Sequence, residues 1–426
     1  MSRILFSLAL IGCTAFHGFA QEAAPPADAG AATATPAEGQ PSEAANATEA
    51  APVASAEAVA ANEAFEALVD QWNELIEQLK QLQQKRDAAA GDARTEIETQ
   101  MAELRQQAAA LVDKVADAGL AAYQIDQLAF PRVNSTLLAI AQFHVIGDPR
   151  GDGGDHYEKA LKLAKGLIDA GAGEKWPQLY LFAGMSAYCV GELDLAEEFL
   201  KKADGAGMFA NLPQPTGGEP PSLKLLIDAH GYLESLPTHR KHWEEEQAIR
   251  AADAKADDLP RVKLKTTQGD IVIELFENEA PQSVANFITL VKKGYYDGVT
   301  FHRVLPLFMA QGGDPEGTGG GGPGYNIKDE QRAAKARRHF RGSMSMANTG
   351  QPNSGGSQFF LTFVPTSYLD GRHAVFGRVI EGMDAAASLK RRNPDGPGPL
   401  PMPDRILTGE VLRDRGHQYT FEKMPE

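Results

Sequence analysis

The sequence predicts a multidomain protein: an all-helical N-terminal region of helical hairpins, partly repeat-like, followed by a closed antiparallel β-barrel capped by helices. Three observations predict it. Apolar residues recur at three- and four-residue spacings through residues 61–250 of the 426-residue chain, the period of a helix face. After Pro260 the period becomes two, with Val262, Leu264 and Thr266 alternating with polar partners. Short apolar runs between glycines and prolines then continue towards the C-terminus. Strands at both ends of such a stretch, with helices between, suggest a sheet closed around its helices.

Residues 1–20 read as an export signal. Arg3 gives a small positive n-region, Ile4 to Ile11 is nearly all apolar but too short to span a membrane, and Gly18-Phe19-Ala20 offers a cleavage site before Gln21. Leu10-Ile11-Gly12-Cys13 also resembles a lipoprotein signal, so soluble export to the periplasm or cell envelope and lipid anchoring through Cys13 both stay open. Residues 21–60 are nearly all Ala, Pro, Glu, Gly, Ser and Thr, with no aromatic residue. They lack the apolar surface to offset ordering entropy and are expected to be a disordered tether.

Over 61–118, Phe65, Leu68, Trp72, Leu75, Leu79 and Leu82 share one helical face, and after Gly91-Asp92 the pattern resumes with Ile97, Met101, Leu104, Ala108, Leu111 and Val115. Either two long helices pack antiparallel, or a short coiled coil forms a homo-oligomer. Residues 119–257 read as a helical, repeat-like domain. Its glycines and alanines, with Ala160 and Ala196 in equivalent places 36 residues apart, weakly resemble a tetratricopeptide repeat, in which small side chains let helices approach closely. Such arrays bind peptides, so a protein client on the helical region is one expectation and plain helix packing the other. The loop Asp148 to Asp155 has Arg150 at the third position of a calcium loop and reads as a polar turn. Cys189 has no neighbouring base and reads as a buried structural cysteine.

The net charge is -16, and it is uneven. Residues 260–426 carry 21 Lys and Arg against 18 Asp and Glu, and the rest of the chain carries 20 against 39. This acidity gives no support to a nucleic-acid partner. Gly317-x-Gly319-x-x-Gly322 is followed by Pro323-Gly324 rather than a helix, which argues against a nucleotide site. No His, Asp or Glu spacing suggests a metal, and no cofactor is expected.

Residues 258–415 form the last expected domain, with 416–426 as a tail. They hold Phe301-His302-Arg303-Val304, Phe308-Met309-Ala310-Gln311-Gly312-Gly313-Asp314, Ser345-Met346-Ala347-Asn348, Gly356-Ser357-Gln358-Phe359-Phe360 and Leu369-Asp370-Gly371-Arg372-His373-Ala374-Val375-Phe376-Gly377. In that order these blocks resemble the cyclophilin-type peptidyl-prolyl cis-trans isomerase family over about 261–412. The resemblance implies a cyclophilin-like closed antiparallel β-barrel capped by helices. It implies that Arg303 is catalytic, that Phe308, Met309, Phe360, Leu369 and His373 receive the proline ring, that Gln311, Ala347 and Asn348 hold the substrate backbone, and that Gln358 supports the pocket. It also puts Tyr368 among the substrate-binding residues, at a position where many eukaryotic members carry a tryptophan associated with cyclosporin binding. His302 and His339 read as structural or surface residues.

The implied reaction is rotation about X–Pro bonds in unfolded or folding exported proteins. The chemistry suits these residues: it needs no nucleophile, only a site that binds the twisted amide better than either planar form. The alternative is a proline-segment-binding chaperone or scaffold with little turnover, assembled through its helical region.

Overall fold

A computed structural model describes residues 54–425, apart from 90, 128–129 and 149–150. The expected export signal, Cys13 and most of the tether lie outside the described residues. The described residues begin with a long antiparallel hairpin, α1 (Ala56–Ala88) and α2 (Gly91–Ile125). Ser55 caps α1 by accepting the Ala58 amide at 3.1 Å. That cap and the alanines after it start the helix inside the stretch that composition assigns to the tether.

Helices α3 (Pro131–Ile146), α4 (Tyr157–Asp169), α5 (Gln178–Val190), α6 (Leu193–Gly205) and the long α7 (Pro221–Ala256) complete the helical region. Small residues set its close packing: a Cβ on Gly184 would lie 2.8 Å from Leu200. Tyr188 of α5 stacks on Tyr232 and on His239 of α7, each at 4.2 Å between ring centres. Cys189 is buried, and burial pushes its thiol well above the ordinary range. Among the described residues, no helix is long and apolar enough to cross a membrane.

The second region is a sheet wrapped around α8 (Pro281–Lys292). Its strands are β1 (Arg261–Thr266), β2 (Gly269–Leu275), β3 (Arg303–Leu305), β4 (Met309–Gly312), β6 (Ser343–Met346), β7 (Phe359–Thr362), β8 (Val375–Glu381) and β9 (Ile406–Arg413). The pair β5 (Asn326–Ile327) and β10 (Lys423–Met424) stands apart, and a short α9 (Met383–Ala387) follows β8. Pro281 starts α8 with its preset φ. Phe287 then meets Tyr296, Phe359 and Phe376 at 5.1 to 5.6 Å in the sheet's core.

The strand order is β3-β4-β7-β6-β8-β2-β1-β9, with β3 and β9 as separate edges. The sheet is therefore an open half-barrel, not the closed barrel expected from the sequence. The reason is local. The three-residue β3 gives its outer edge to Arg392, whose backbone exchanges two 2.8 Å hydrogen bonds with Val304. The chain entering β9 pairs instead with the loop before β3, through Phe301 N to Asp404 O and Ile406 N to Val299 O, both at 2.8 Å. With Val304 paired to Arg392 and Ile406 to the loop before β3, the two edge strands form no ladder with each other.

The two regions share a core. Leu307 and Val364 from the sheet region are buried in the apolar cluster of the helical region. Polar contacts surround that seam. Arg341 meets Glu158 of α4 with two nitrogens, at 3.2 and 2.8 Å, and Tyr232 of α7 donates to the Pro365 carbonyl at 3.1 Å.

Candidate active site

Strand register assembles the site. Arg303 lies opposite Gln311, Gln311 opposite Phe360, and Phe360 opposite Ser345. Directly opposed residues share a face, so four strands present Arg303, Gln311, Phe360 and Ser345 as one row. Met309, two residues before Gln311, points to the same side.

Met309, Phe360 and Leu369 form a compact apolar cluster, with Leu305, Phe308 and Ala347 packed against it. Phe360 is held from two sides. His339 lies parallel to its ring at 6.0 Å, and His373 meets it edge-on at 5.3 Å. Tyr368 stacks beside Phe308 at 6.2 Å and is 60% exposed, which makes it a rim residue. Its phenol is pushed up to about 12, mainly by desolvation with Asp228 adding, so it stays protonated.

Arg303 stands at the open side, its guanidinium carbon 5.9 Å from the Phe308 ring centre. Its Nε is 3.9 Å from Asp395 Oδ2, and Asp395 is exposed, so the guanidinium remains free to turn towards a bound amide. Gln311 Nε2 donates to Gln358 Oε1 at 3.0 Å, and Gln358 Nε2 donates to the carbonyls of Gly319 and Gly321, both at 2.9 Å. These amides tie the glycine-rich loop to the row beside Arg303. The Ala347 amide donates to the Gln358 carbonyl at 3.0 Å. Asn348 follows Ala347, but its amide serves its own loop: it donates to the Arg372 carbonyl at 2.9 Å and accepts from the Gly350 amide at 3.0 Å.

His373 Nδ1 lies 3.0 Å from the Met346 carbonyl. A carbonyl only accepts, so Nδ1 carries the proton. Burial depresses the imidazole pKa, against the pull of that hydrogen bond, and keeps the ring neutral. It shapes the pocket as an uncharged edge.

Every sequence-expected site residue is in this neighbourhood. Of the two expectations for His339 and His302, structural or surface, the structural one holds. His339 and His302 are both buried. His339 contacts Asp370 through Nδ1 and Ser345 Oγ through Nε2, each at 2.8 Å, so it fixes the ring that backs Phe360. The signal was present in the sequence, since Asp370 sits in the same block as Leu369. Among the described residues, no group of three or more His, Cys, Asp or Glu is placed to hold a metal.

This geometry can seat an apolar ring against Phe360 and Met309 and offer a cation to an adjoining amide. Residues 261–411 match the family model described as cyclophilin type peptidyl-prolyl cis-trans isomerase/CLD. A peptidyl-prolyl cis-trans isomerase of Helicobacter pylori is 47% identical over 148 residues, covering 34% of this chain and 90% of that protein. One from Synechococcus elongatus is 44% identical over 151 residues, covering 35% of this chain and 95% of that protein. With relatives this similar matched over nearly their whole length, the chain belongs to the cyclophilin-type peptidyl-prolyl cis-trans isomerase family.

Proposed function

We propose that the protein turns over X–Pro bonds in exported proteins and so assists their folding, with Arg303 as its catalytic residue. The observation that carries this reading is the placement of Arg303 at the open side of the pocket made by Phe308, Met309, Phe360 and Leu369.

An X–Pro bond resists rotation because the nitrogen lone pair is shared with the carbonyl, with a barrier of about 18–20 kcal/mol. In the twisted state the nitrogen regains that lone pair. The apolar pocket holds the proline ring still, so rotation falls on the acyl side. Arg303 donates towards the nitrogen through its planar guanidinium. That contact exists only when the amide is twisted, so it lowers the barrier rather than merely tightening binding. Gln311 and the Ala347 region hold the substrate backbone in register.

The test is an isomerisation assay on a short X–Pro peptide with full-length protein. Arg303→Ala should lower kcat by about a hundredfold, the scale for one lost transition-state donor, and leave peptide affinity nearly unchanged. Equal turnover by the two proteins would refute the role of Arg303. Peptide binding without turnover in the wild type would favour the scaffold reading. The exported setting rests on residues 1–20, and mass spectrometry of the mature N-terminus tests it: a start at Gln21 supports soluble export, and a lipid-bearing Cys13 supports anchoring.

A further inference from the structure

We infer that Asp155, in the helical region, is a positioning residue for the proline pocket, acting through the backbone of Leu307. The inference rests on the active-site reading above, because the turn it holds carries Phe308.

Residues 306–308 form the turn between β3 and β4, and Leu307 in that turn has φ +54°. A large non-glycine side chain rarely adopts this left-handed conformation and needs its surroundings to hold it there. Three contacts do so. The Leu307 side chain is buried in the core of the helical region. Its amide donates to the Asp155 carboxylate, at 3.1 Å to Oδ1 and 3.3 Å to Oδ2. The next carbonyl, that of Phe308, accepts from the Phe363 amide at 2.8 Å. Leu307 is thus a plug in the helical region, and the two residues after it, Phe308 and Met309, line the pocket.

Asp155 is itself fully buried, and a buried carboxylate persists only where it is paired and hydrogen-bonded. Arg391 donates to Oδ2 at 2.8 Å, and the Tyr157 hydroxyl donates to Oδ1 at 2.8 Å. Burial, with Asp155 adding, keeps the Tyr157 phenol protonated and therefore a donor. Arg391 also donates to the Gly154 carbonyl at 3.0 Å and lies 4.8 Å from the Phe363 ring centre. The carboxylate has no freedom to follow solvent. Its position is set by α4 and by the segment after α9, and it passes that position to the turn. A hydrogen bond to a charged acceptor is stronger than one between neutral groups, which suits a strained turn beside a binding pocket.

The pocket holds the proline ring in both planar and twisted states, so loosening it removes uniform binding, which raises KM and spares kcat. The experiment uses full-length protein and a short X–Pro peptide. Asp155→Ala should raise KM about tenfold with kcat within about twofold. The same variant should shift the Leu307 amide resonance and speed its hydrogen exchange. Glu158→Gln breaks another contact across the same seam, the pair with Arg341, and should change neither constant. A folded Asp155→Ala protein with wild-type KM overturns the inference, and so does a Glu158→Gln protein with the same rise in KM. If Asp155→Ala does not fold, the wild type decides. Saturation with peptide should move the Leu307 amide and the Asp155 carboxyl carbon along with Phe308, and their silence overturns the inference. Peptide affinity is read in every case, so a lack of turnover, which would sink the enzymatic reading, is distinguishable from a failure here.

Discussion

Arg337 reaches from the loop before β6 and grips Glu246 of α7 with two nitrogens, Nε to Oε2 at 3.1 Å and Nη2 to Oε1 at 2.9 Å. Both side chains are almost wholly buried. The guanidinium also reaches Asp253 of α7 at 3.1 Å and lies 4.0 Å above the Phe276 ring centre. Removing one partner of such a pair leaves the other charged in a dry seam, at a cost of about 3–5 kcal/mol. Asp253 stays in place, so Glu246→Ala should lose about 3 kcal/mol, the lower end of that range. Urea denaturation of full-length protein measures it. A change under about 0.5 kcal/mol would show that water enters the seam and screens the pair.

The amide pair Gln311–Gln358 makes a second prediction. Gln358 is the link between the row carrying Arg303 and the carbonyls of Gly319 and Gly321. Gln358→Ala frees both the loop and Gln311, at a cost of about 1 kcal/mol for each neutral hydrogen bond lost. Turnover on a short X–Pro peptide should fall about tenfold in kcat/KM, and the melting temperature should fall with the three hydrogen bonds lost. An unchanged kcat/KM would show that the loop does not position the row.

How far the site could be read from the sequence depended on where its partners lie along the chain. Arg303, Met309 and Gln311 sit on the two strands of one hairpin with Phe308 in its turn, and Phe360 follows in the next paired strand, so motif order alone brought these proposed site residues together. Asp155 was hidden. It closes a glycine-rich acidic stretch that has the composition of a solvated turn, and its partners Leu307 and Arg391 are 152 and 236 residues away. Pairing at that distance leaves no periodicity to read. The open half-barrel was missed for a related reason. Strand patterns show which residues face inwards, but the edge of β3 is taken by the backbone of Arg392, and backbone pairing carries little side-chain signature.

Acid should loosen the seam between the regions. His239 of α7 stacks on Tyr188 and lies 5.6 Å from the Phe340 ring centre across the seam. Its pKa falls to about 4, first through desolvation and then through His242, with Asp370 opposing. An unfolded histidine titrates near 6.5. Below that pH the unfolded chain takes up the proton first, so stability is fully present above about pH 6.5 and is lost as pH falls towards 4. The loss from this residue is of order 3 kcal/mol. Burial of His144 acts in the same direction, taking it to about 3. The urea midpoint should therefore drop between pH 7 and pH 4.5, and His239→Phe should flatten part of that drop. An identical pH dependence in the variant would remove His239 from the account.

Tyr368 gives the last prediction. In the family resemblance this position is a tryptophan in many eukaryotic members and is associated with cyclosporin binding. Here the tyrosine ring stacks beside Phe308 and is 60% exposed, so the rim has room for a larger ring without repacking the cluster of Met309, Phe360 and Leu369. An indole adds apolar area and one N–H donor at the edge of the pocket, and aromatic area of this kind carries much of the affinity at binding surfaces. Tyr368→Trp should tighten cyclosporin binding at least tenfold, measured by competition against a fluorescent X–Pro peptide. Turnover of that peptide should stay within about twofold, because the exposed rim ring contributes binding alike to planar and twisted states. An unchanged affinity would show that this rim position does not set cyclosporin binding.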